Sequence, residues 1–121
     1  TKEAPVHQNV KDALVAASEL DTTLIMRSLR NTERVLKNDA VTSIQQKEKA
    51  LGDNIKIEDI LDEVAGVYPK IMTEGKMEEG AWSCGMVAGL IHDIPSCQEL
   101  IDGMVSEAEE IINSRLAKFI A

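Results

Sequence analysis

Aromatic residues are scarce in this 121-residue sequence, which has one Trp, one Tyr and one Phe. It also has only two cysteines and three prolines. A core built from Leu, Ile, Val, Ala and Met must bury many small side chains to offset the entropy of ordering the backbone. The length is that of one ordinary domain with a modest core. Packing of one surface against another domain would therefore add needed stability.

Several classes of function are disfavoured by what the sequence lacks. The formal net charge is −8, so phosphates are repelled and non-specific binding to nucleic acid or an anionic membrane is not expected. The longest apolar stretch, residues 85–91, is far shorter than the roughly 20 residues that span a bilayer, and no signal-peptide pattern opens the chain. Cys84 and Cys97 form no CxxC pair and no His/Cys cluster, which predicts free thiols, a cytoplasmic protein and no metal site.

Helical spacing of apolar residues predicts a mostly α fold, an irregular lobe of five or six helices. Only residues 22–26 have strand character. Ser96 and Glu99 form a capping-box pattern at the start of a final amphipathic helix. Helices are predicted after Pro5, over residues 31–49 with Thr32 as N-cap, over residues 57–64, in a short turn after Pro69, over residues 78–92, and from Ser96 to the end.

The predicted helix over residues 78–92 has an unusual glycine pattern. Ala81, Gly85 and Gly89 recur every four residues, and each glycine inside a helix costs about 1 kcal/mol relative to Ala. One interpretation is close packing of another helix on this strip. The other is that the backbone must approach a flat ligand or a neighbouring domain.

The histidines and their charged neighbours do not form a recognisable catalytic motif in the sequence. His92 beside Asp93 could complement a helix dipole or act as a general base, but the sequence shows no third group, and His7 has less support. The sequence has no GxGxxG, Walker, GxSxG or HExxH motif, so no catalytic residue is assigned. Four basic residues would share a helix face, either solvated or facing an anionic partner or a cofactor phosphate: Arg27, Arg30, Arg34 and Lys37.

Two stretches resemble a known family. The first is Thr-Lys-Glu-Ala-Pro-Val-His at residues 1–7, followed by Asp-Thr-Thr-Leu at 21–24 and Arg-Ser-Leu-Arg-Asn-Thr at 27–32. It resembles the segment after the last barrel strand of nitronate monooxygenases, formerly called 2-nitropropane dioxygenases. Residues 79–101, with Trp-Ser-Cys-Gly-Met-Val-Ala-Gly-Leu-Ile at 82–91, are similar to the C-terminal signature of that family.

The resemblance implies a parent TIM-barrel flavoprotein that binds FMN and oxidises alkyl nitronates with molecular oxygen, with related members acting as NAD(P)H or enoyl-acyl-carrier reductases. This chain would be its single C-terminal helical lobe, which covers the flavin and returns to the barrel. Residues 1–30 would follow the last barrel strand, 31–77 would be a helical insertion, and 78–121 would hold the glycine-spaced and terminal helices. The barrel, the FMN phosphate loops and the catalytic histidine of the family would lie upstream. The absence of an initial Met fits a processed or excised piece.

The same resemblance gives candidate site residues. Gly85 and Met86 are expected at the cofactor and Trp82 and Ser83 at the substrate cavity, with Met86 where many relatives are expected to have glutamine. That change leaves the substrate class open. The expected partners are the barrel portion of the same polypeptide, a small-molecule substrate and oxygen. The lobe alone is expected to be inactive, to release FMN and to self-associate. The alternative is a stand-alone helical protein-interaction module.

Overall fold

The computed structural model describes residues 1–119, with only the backbone of Ala117, and separates two compact units. The larger unit is Pro5–His92, and the smaller unit combines Thr1–Ala4 with the chain from Asp93 onward. The division into segments 1–30, 31–77 and 78–121 stays a prediction, and residues 120 and 121 lie outside the described residues.

Helices dominate the described residues, so the mostly α fold class is confirmed, with a small sheet in addition. None of these helices is long and apolar enough to cross a membrane. The helices are α1 Gln8–Ala16, α2 Asp39–Leu51, α3 Leu61–Val64, α4 Tyr68–Met72 and α5 Cys97–Ser114, and the strands are β1 Thr22–Ile25 and β2 Glu33–Leu36. Short 3₁₀ helices lie at Glu19–Asp21, Gly52–Asn54, Ile57–Ile60, Met86–Leu90 and Leu116–Phe119.

The two strands pair antiparallel, with Thr22 opposite Leu36. The predicted strand at residues 22–26 is confirmed, but the helix predicted from residue 31 is wrong in its first part. Val35 is fully buried within β2, and its strand neighbours form ladder hydrogen bonds instead of helical ones. Helix α2 begins only after Asn38, whose Oδ1 accepts a hydrogen bond of 2.8 Å from the Val41 N–H. Thr32 is therefore not the N-cap.

The basic face predicted from a longer second helix is also wrong, because its members lie on different elements. Two of them sit in the turn between the strands, while Arg34 on β2 donates to Thr22 Oγ1 at 3.0 Å. Lys37 donates to the Leu20 carbonyl at 2.7 Å. Arg34 and Lys37 thus make local polar contacts, and the four residues do not share one helix face.

The helix predicted over residues 78–92 is wrong as well. Trp82–Cys84 is extended, and the 3₁₀ helix Met86–Leu90 follows it. The extended part forms two backbone hydrogen bonds with β2, of 3.4 and 3.1 Å. Strand β2 pairs with β1 along one edge, and the segment Trp82–Cys84 pairs with its other edge. A helix over residues 78–92 would be destabilised by its three glycines, so the extended conformation is preferred here.

Two apolar clusters form the core of the larger unit. The first joins β1, β2 and α2 through Ile25, Val35 and Ile44, with Ile60 from the neighbouring 3₁₀ helix. The second cluster joins α1, α4 and the segment after Gly80, and consists of Val10, Val67, Ile71, Trp82, Cys84 and Ala88. Each cluster ties together segments that are far apart in the sequence.

Helix α5 begins as the sequence predicts. Ser96 Oγ accepts from the Glu99 N–H at 3.2 Å, and the Ser96 N–H donates to Glu99 Oε2 at 2.6 Å, which is a capping box. No residue of α5 is buried. Its exposed large apolar residues are Leu100, Ile101, Met104, Val105, Ile111 and Ile112.

The capping box makes helix α5 sensitive to acid. The Ser96 backbone N–H, and then the Lys2 ammonium, lower the pKa of Glu99 from 4.5 to about 2. A lowered carboxyl pKa adds stability that is complete above about 4.5 and is lost as the pH falls through about 2. We expect an NMR titration of the Glu99 carboxyl to give a midpoint near 2, and Glu99→Gln to flatten the pH dependence in this window. A midpoint near 4.5 would contradict the capping geometry.

Candidate functional site

The candidate site is built on the extended segment Trp82–Cys84. Its side chains alternate as they do in a strand: Trp82 and Cys84 are buried, and Ser83 is exposed. The Ser83 hydroxyl donates a hydrogen bond to the Glu33 carboxylate on β2. The pairing with β2 therefore fixes which of these side chains enter the core and which reach the surface.

Beside this segment lies an apolar groove of about 320 Å³, here called the Trp82 groove. One part of its lining comes from α1 and the residue before its cap, another from α4, and the rest from the chain that follows Gly80. Its lining residues are Val6, Val10, Leu14, Met72, Trp82, Ser83, Cys84, Gly85, Val87, Ala88 and Ile91. Ser83 and Cys84 supply its only polar side-chain groups besides the Trp82 indole N–H.

The structure brings three of the four predicted site residues to one groove. Trp82, Ser83 and Gly85 line the Trp82 groove, whereas Met86 does not. Met86 is exposed and lines a separate shallow surface of about 460 Å³ with Val87, Gly89, Leu90 and Glu19. The assignment of these residues to a cofactor or a substrate stays a prediction.

The glycines of this segment serve different purposes. At Gly89 an added Cβ would lie 2.7 Å from the Glu19 backbone nitrogen, so the close approach here is to the 3₁₀ helix of the same unit. At Gly85 the nearest atom to an added Cβ is a Val87 methyl at 3.7 Å, an ordinary contact. The regular glycine spacing therefore does not form one flat strip.

Eight groove residues were not singled out as site residues by the sequence, and four of these lie far from Trp82 in the chain: Val6, Val10, Leu14 and Met72. The helical spacing of the first three predicts one apolar face of α1, which fits a core as well as a groove. Only the tertiary structure shows that this face of α1 lines a groove, because the groove brings α1 next to Trp82, which is far away in the sequence.

The groove fits an uncharged apolar group and does not fit a phosphate. Its lining contains no Lys or Arg, and phosphate recognition needs cationic side chains or converging backbone N–H groups. Trp82 Nε1 is buried and has no hydrogen-bond partner among the described residues. The Trp82 groove therefore offers no cationic side chain to an FMN phosphate.

The two histidines do not form a catalytic pair. His92 is exposed and follows the 3₁₀ helix Met86–Leu90, so the predicted position at the end of an α-helix is wrong. His7 is not in the first turn of α1 but is its N-cap residue. Within residues 1–119, no three His, Cys, Asp or Glu side chains converge as metal ligands.

Both cysteines are free thiols, as predicted, while the cytoplasmic location stays a prediction. Burial in the groove wall raises the pKa of Cys84, whereas Cys97 is exposed. Because the thiolate is the reactive form, we expect Ellman's reagent to label one thiol per chain quickly and the second only in denaturant. Cys97→Ser should remove the fast phase. A fast phase that survives Cys97→Ser would contradict the burial of Cys84.

Comparison with known proteins adds three likenesses. A family model described as nitronate monooxygenase matches residues 1–107. FabK from Thermotoga maritima superposes with a TM-score of 0.80 at 26% identity, covering 94% of this chain and 35% of FabK. A methionine-to-alanine variant of the same FabK gives a TM-score of 0.73 at 24% identity, over 94% of this chain and 32% of the variant.

A curated relative is similar over a shorter stretch. It is (3aS,4S,5R,7aS)-5-hydroxy-7a-methyl-1-oxo-octahydro-1H-indene-4-carboxyl-CoA dehydrogenase from Rhodococcus jostii (strain RHA1), 40% identical over 43 residues, which are 36% of this chain and 12% of the relative. The chain thus spans about a third of the solved FabK structures that it matches and a smaller share of this dehydrogenase.

Proposed function

The chain belongs to the nitronate monooxygenase family, and from this premise we propose that it is the C-terminal lobe of an FMN-dependent, nitronate monooxygenase-like oxidoreductase. In this proposal the lobe covers the flavin and substrate cavity, and the rest of the polypeptide supplies the FMN-binding TIM barrel. The observation that carries the proposal is the family match over residues 1–107, together with the apolar Trp82 groove inside the matched region.

The size of the likeness supports a lobe instead of a whole enzyme. The superposition on FabK uses nearly all of this chain but 35% of FabK, so the remaining part of such a fold has no counterpart here. The lining of the Trp82 groove also has no Lys or Arg to hold the FMN phosphate. A barrel portion of the same polypeptide would meet both needs.

The chemical contribution of this chain is proposed to be shape and exclusion of water. FMN supplies the redox chemistry when the parent protein binds it. The groove offers an apolar wall with Trp82 at its base, and the Ser83 hydroxyl, oriented by Glu33, is its exposed polar group. An alkyl group seated there leaves water, which is worth about 25 cal/mol per Å² of apolar area buried. The substrate proposed is therefore a small molecule with an alkyl portion, oxidised with molecular oxygen as co-substrate.

The exposed apolar face of α5 is proposed to pack against the barrel. Large apolar side chains such as Ile101, Met104 and Val105 are more than half exposed in this chain, and a continuous apolar face of this kind marks a contact surface. Without the barrel the same face would favour self-association of residues 1–121.

The experiment that tests the proposal uses the longest natural polypeptide that contains these residues. We expect the purified protein to show flavin absorbance and to consume oxygen with an alkyl nitronate. Val87→Glu, which places a charge at the groove, should raise KM for the nitronate by tenfold or more. Ile57→Glu changes a comparably exposed apolar residue outside the groove and is the matched control. A polypeptide without flavin would overturn the proposal in favour of a helical interaction module.

A second measurement addresses the lobe alone. Equilibrium dialysis of residues 1–121 against FMN is expected to show no stoichiometric binding, because the Trp82 groove has no Lys or Arg to hold the phosphate. Tight binding of one FMN per chain would contradict the assignment of the cofactor to the barrel.

A further inference from the structure

We infer that His7 is a positioning residue for the Trp82 groove, holding the start of α1 against the end of α4. This inference extends the proposed function, since it takes the groove as the substrate cavity. The two elements that His7 joins each contribute to the groove: Val6 and Val10 lie on either side of it in sequence, and Met72 is the last residue of α4. The sequence alone assigned His7 no role.

The His7 side chain fixes the first turn of α1. Its Nδ1 accepts a hydrogen bond of 3.1 Å from the Asn9 N–H, so the ring satisfies one of the backbone donors that every helix start leaves unpaired. Since Nδ1 accepts, the proton of the neutral ring is on Nε2. This cap sets the direction in which α1 leaves His7.

The backbone around His7 is tied to the end of α4. The His7 N–H donates to the Met72 carbonyl at 2.6 Å, and the Asn9 side-chain amide donates to the Gly75 carbonyl at 2.8 Å. His7 and Asn9 therefore lie at the start of α1 and also bond to two carbonyls at the end of α4 and in the turn that follows it.

The imidazole ring also fills the space beside Gly75. An added Cβ at Gly75 would lie 2.2 Å from His7 Nδ1, and Gly75 has a φ of +69°. No side chain fits at Gly75 while the ring is there, and the positive φ would strain one in any case. The ring is thus a spacer of fixed size between α1 and the turn after α4.

Loss of this spacer is expected to be visible at Trp82. Trp82 is 3% exposed, and Val10 and Met72 both belong to the apolar cluster that covers it. It is the single tryptophan of the chain, so its fluorescence reports on the groove without interference. If α1 shifts at His7, water and small quenchers reach the indole.

The experiment measures acrylamide quenching of Trp82 in the full 121-residue chain. We expect His7→Ala to raise the quenching constant at least threefold. Ser96→Ala removes an N-cap of the same kind from α5 in the smaller unit and should leave it unchanged. Quenching of the His7→Ala variant at the wild-type level would overturn the inference.

A second variant separates positioning from general destabilisation. His7→Asn keeps an efficient N-cap acceptor but lacks the ring beside Gly75, so the chain should stay folded, with its circular dichroism unchanged, while the quenching constant still rises about twofold. Wild-type quenching in folded His7→Asn would show that capping alone matters and would overturn the inference.

A ligand titration distinguishes this inference from the proposed function. 1-Octanol serves as an apolar probe, with Trp82 emission as the signal. We expect the wild type to bind it and His7→Asn to bind it at least fivefold more weakly. Failure of the wild type to respond would count against the groove as a substrate cavity, while the quenching results still decide the role of His7. Equal affinities in the two proteins would overturn the positioning role.

Discussion

Replacing Gly80 by alanine is expected to lower the free energy of unfolding of the larger unit by about 3 kcal/mol, the upper end for overpacking a core. An added Cβ would lie 2.3 Å from the Cβ of Val67 and 2.6 and 2.7 Å from its two methyl carbons. Val67 is 1% exposed and its short β-branched side chain has no other rotamer space to use. The backbone at Gly80 must therefore move, and it is the residue through which the chain enters the Trp82 segment.

Gly85→Ala is the matched control in the same unit. Its φ of −80° suits any residue, and an added Cβ meets only an ordinary contact. Its effect should lie between zero and a gain of about 1 kcal/mol, because alanine reduces the entropy of the unfolded chain. Urea unfolding followed by Trp82 fluorescence measures both variants. A Gly80→Ala variant as stable as Gly85→Ala would contradict the packing at Val67.

Replacing Asn38 by alanine is expected to cost about 3 kcal/mol, since one side chain serves three backbone groups. Its Oδ1 caps α2 at the Val41 N–H, and its Nδ2 donates to the carbonyls of Met77 and Gly80, each at 2.8 Å. Alanine would leave the N–H and both partly buried carbonyls without these partners. The segment leading to Trp82 would lose these two hydrogen bonds to the start of α2 and keep the one from the Asp39 N–H to Glu78 Oε2.

Asn38→Ser separates the cap from the two carbonyl contacts. Serine is an equally good N-cap acceptor but cannot reach the carbonyls, so it should recover about 1 kcal/mol of the loss. The free energies of unfolding in urea, taken for both variants and the wild type, measure the two parts. Full recovery by serine would show that the carbonyl contacts contribute nothing.

Local signals were sufficient for the elements whose hydrogen bonds are local. The capping box of α5, its amphipathic face and the short strand at β1 follow from residues within a few positions of each other. The family resemblance, confirmed by the match over residues 1–107, also placed Trp82, Ser83 and Gly85 in one candidate site, and all three line the Trp82 groove.

The two wrong helix predictions involve pairing between distant segments. Residues 33–36 and 82–84 were assigned to helices, and both are extended because they hydrogen bond to each other. Trp82 and Cys84 point inward and Ser83 points outward, which is the period of two that a strand shows. Three residues are too few to identify a strand from sequence when the four-residue spacing of the neighbouring glycines indicates a helix. The assignment of Met86 to the cofactor stays a prediction, although Met86 does not line the Trp82 groove.

The sequence by itself determined the mostly α composition, the start of α5, the free thiols and the family, because each depends on residue types and on spacings shorter than one or two helical turns. Only the tertiary structure decided that His7 and Gly75 are in contact, that Asn38 binds the turn before Trp82, and that α1 closes one side of a groove. The contact of His7 with Gly75 joins residues 68 positions apart, and that of Asn38 with Met77 joins residues 39 apart. Their free energy depends on shape and distance in the folded chain, which no local pattern encodes.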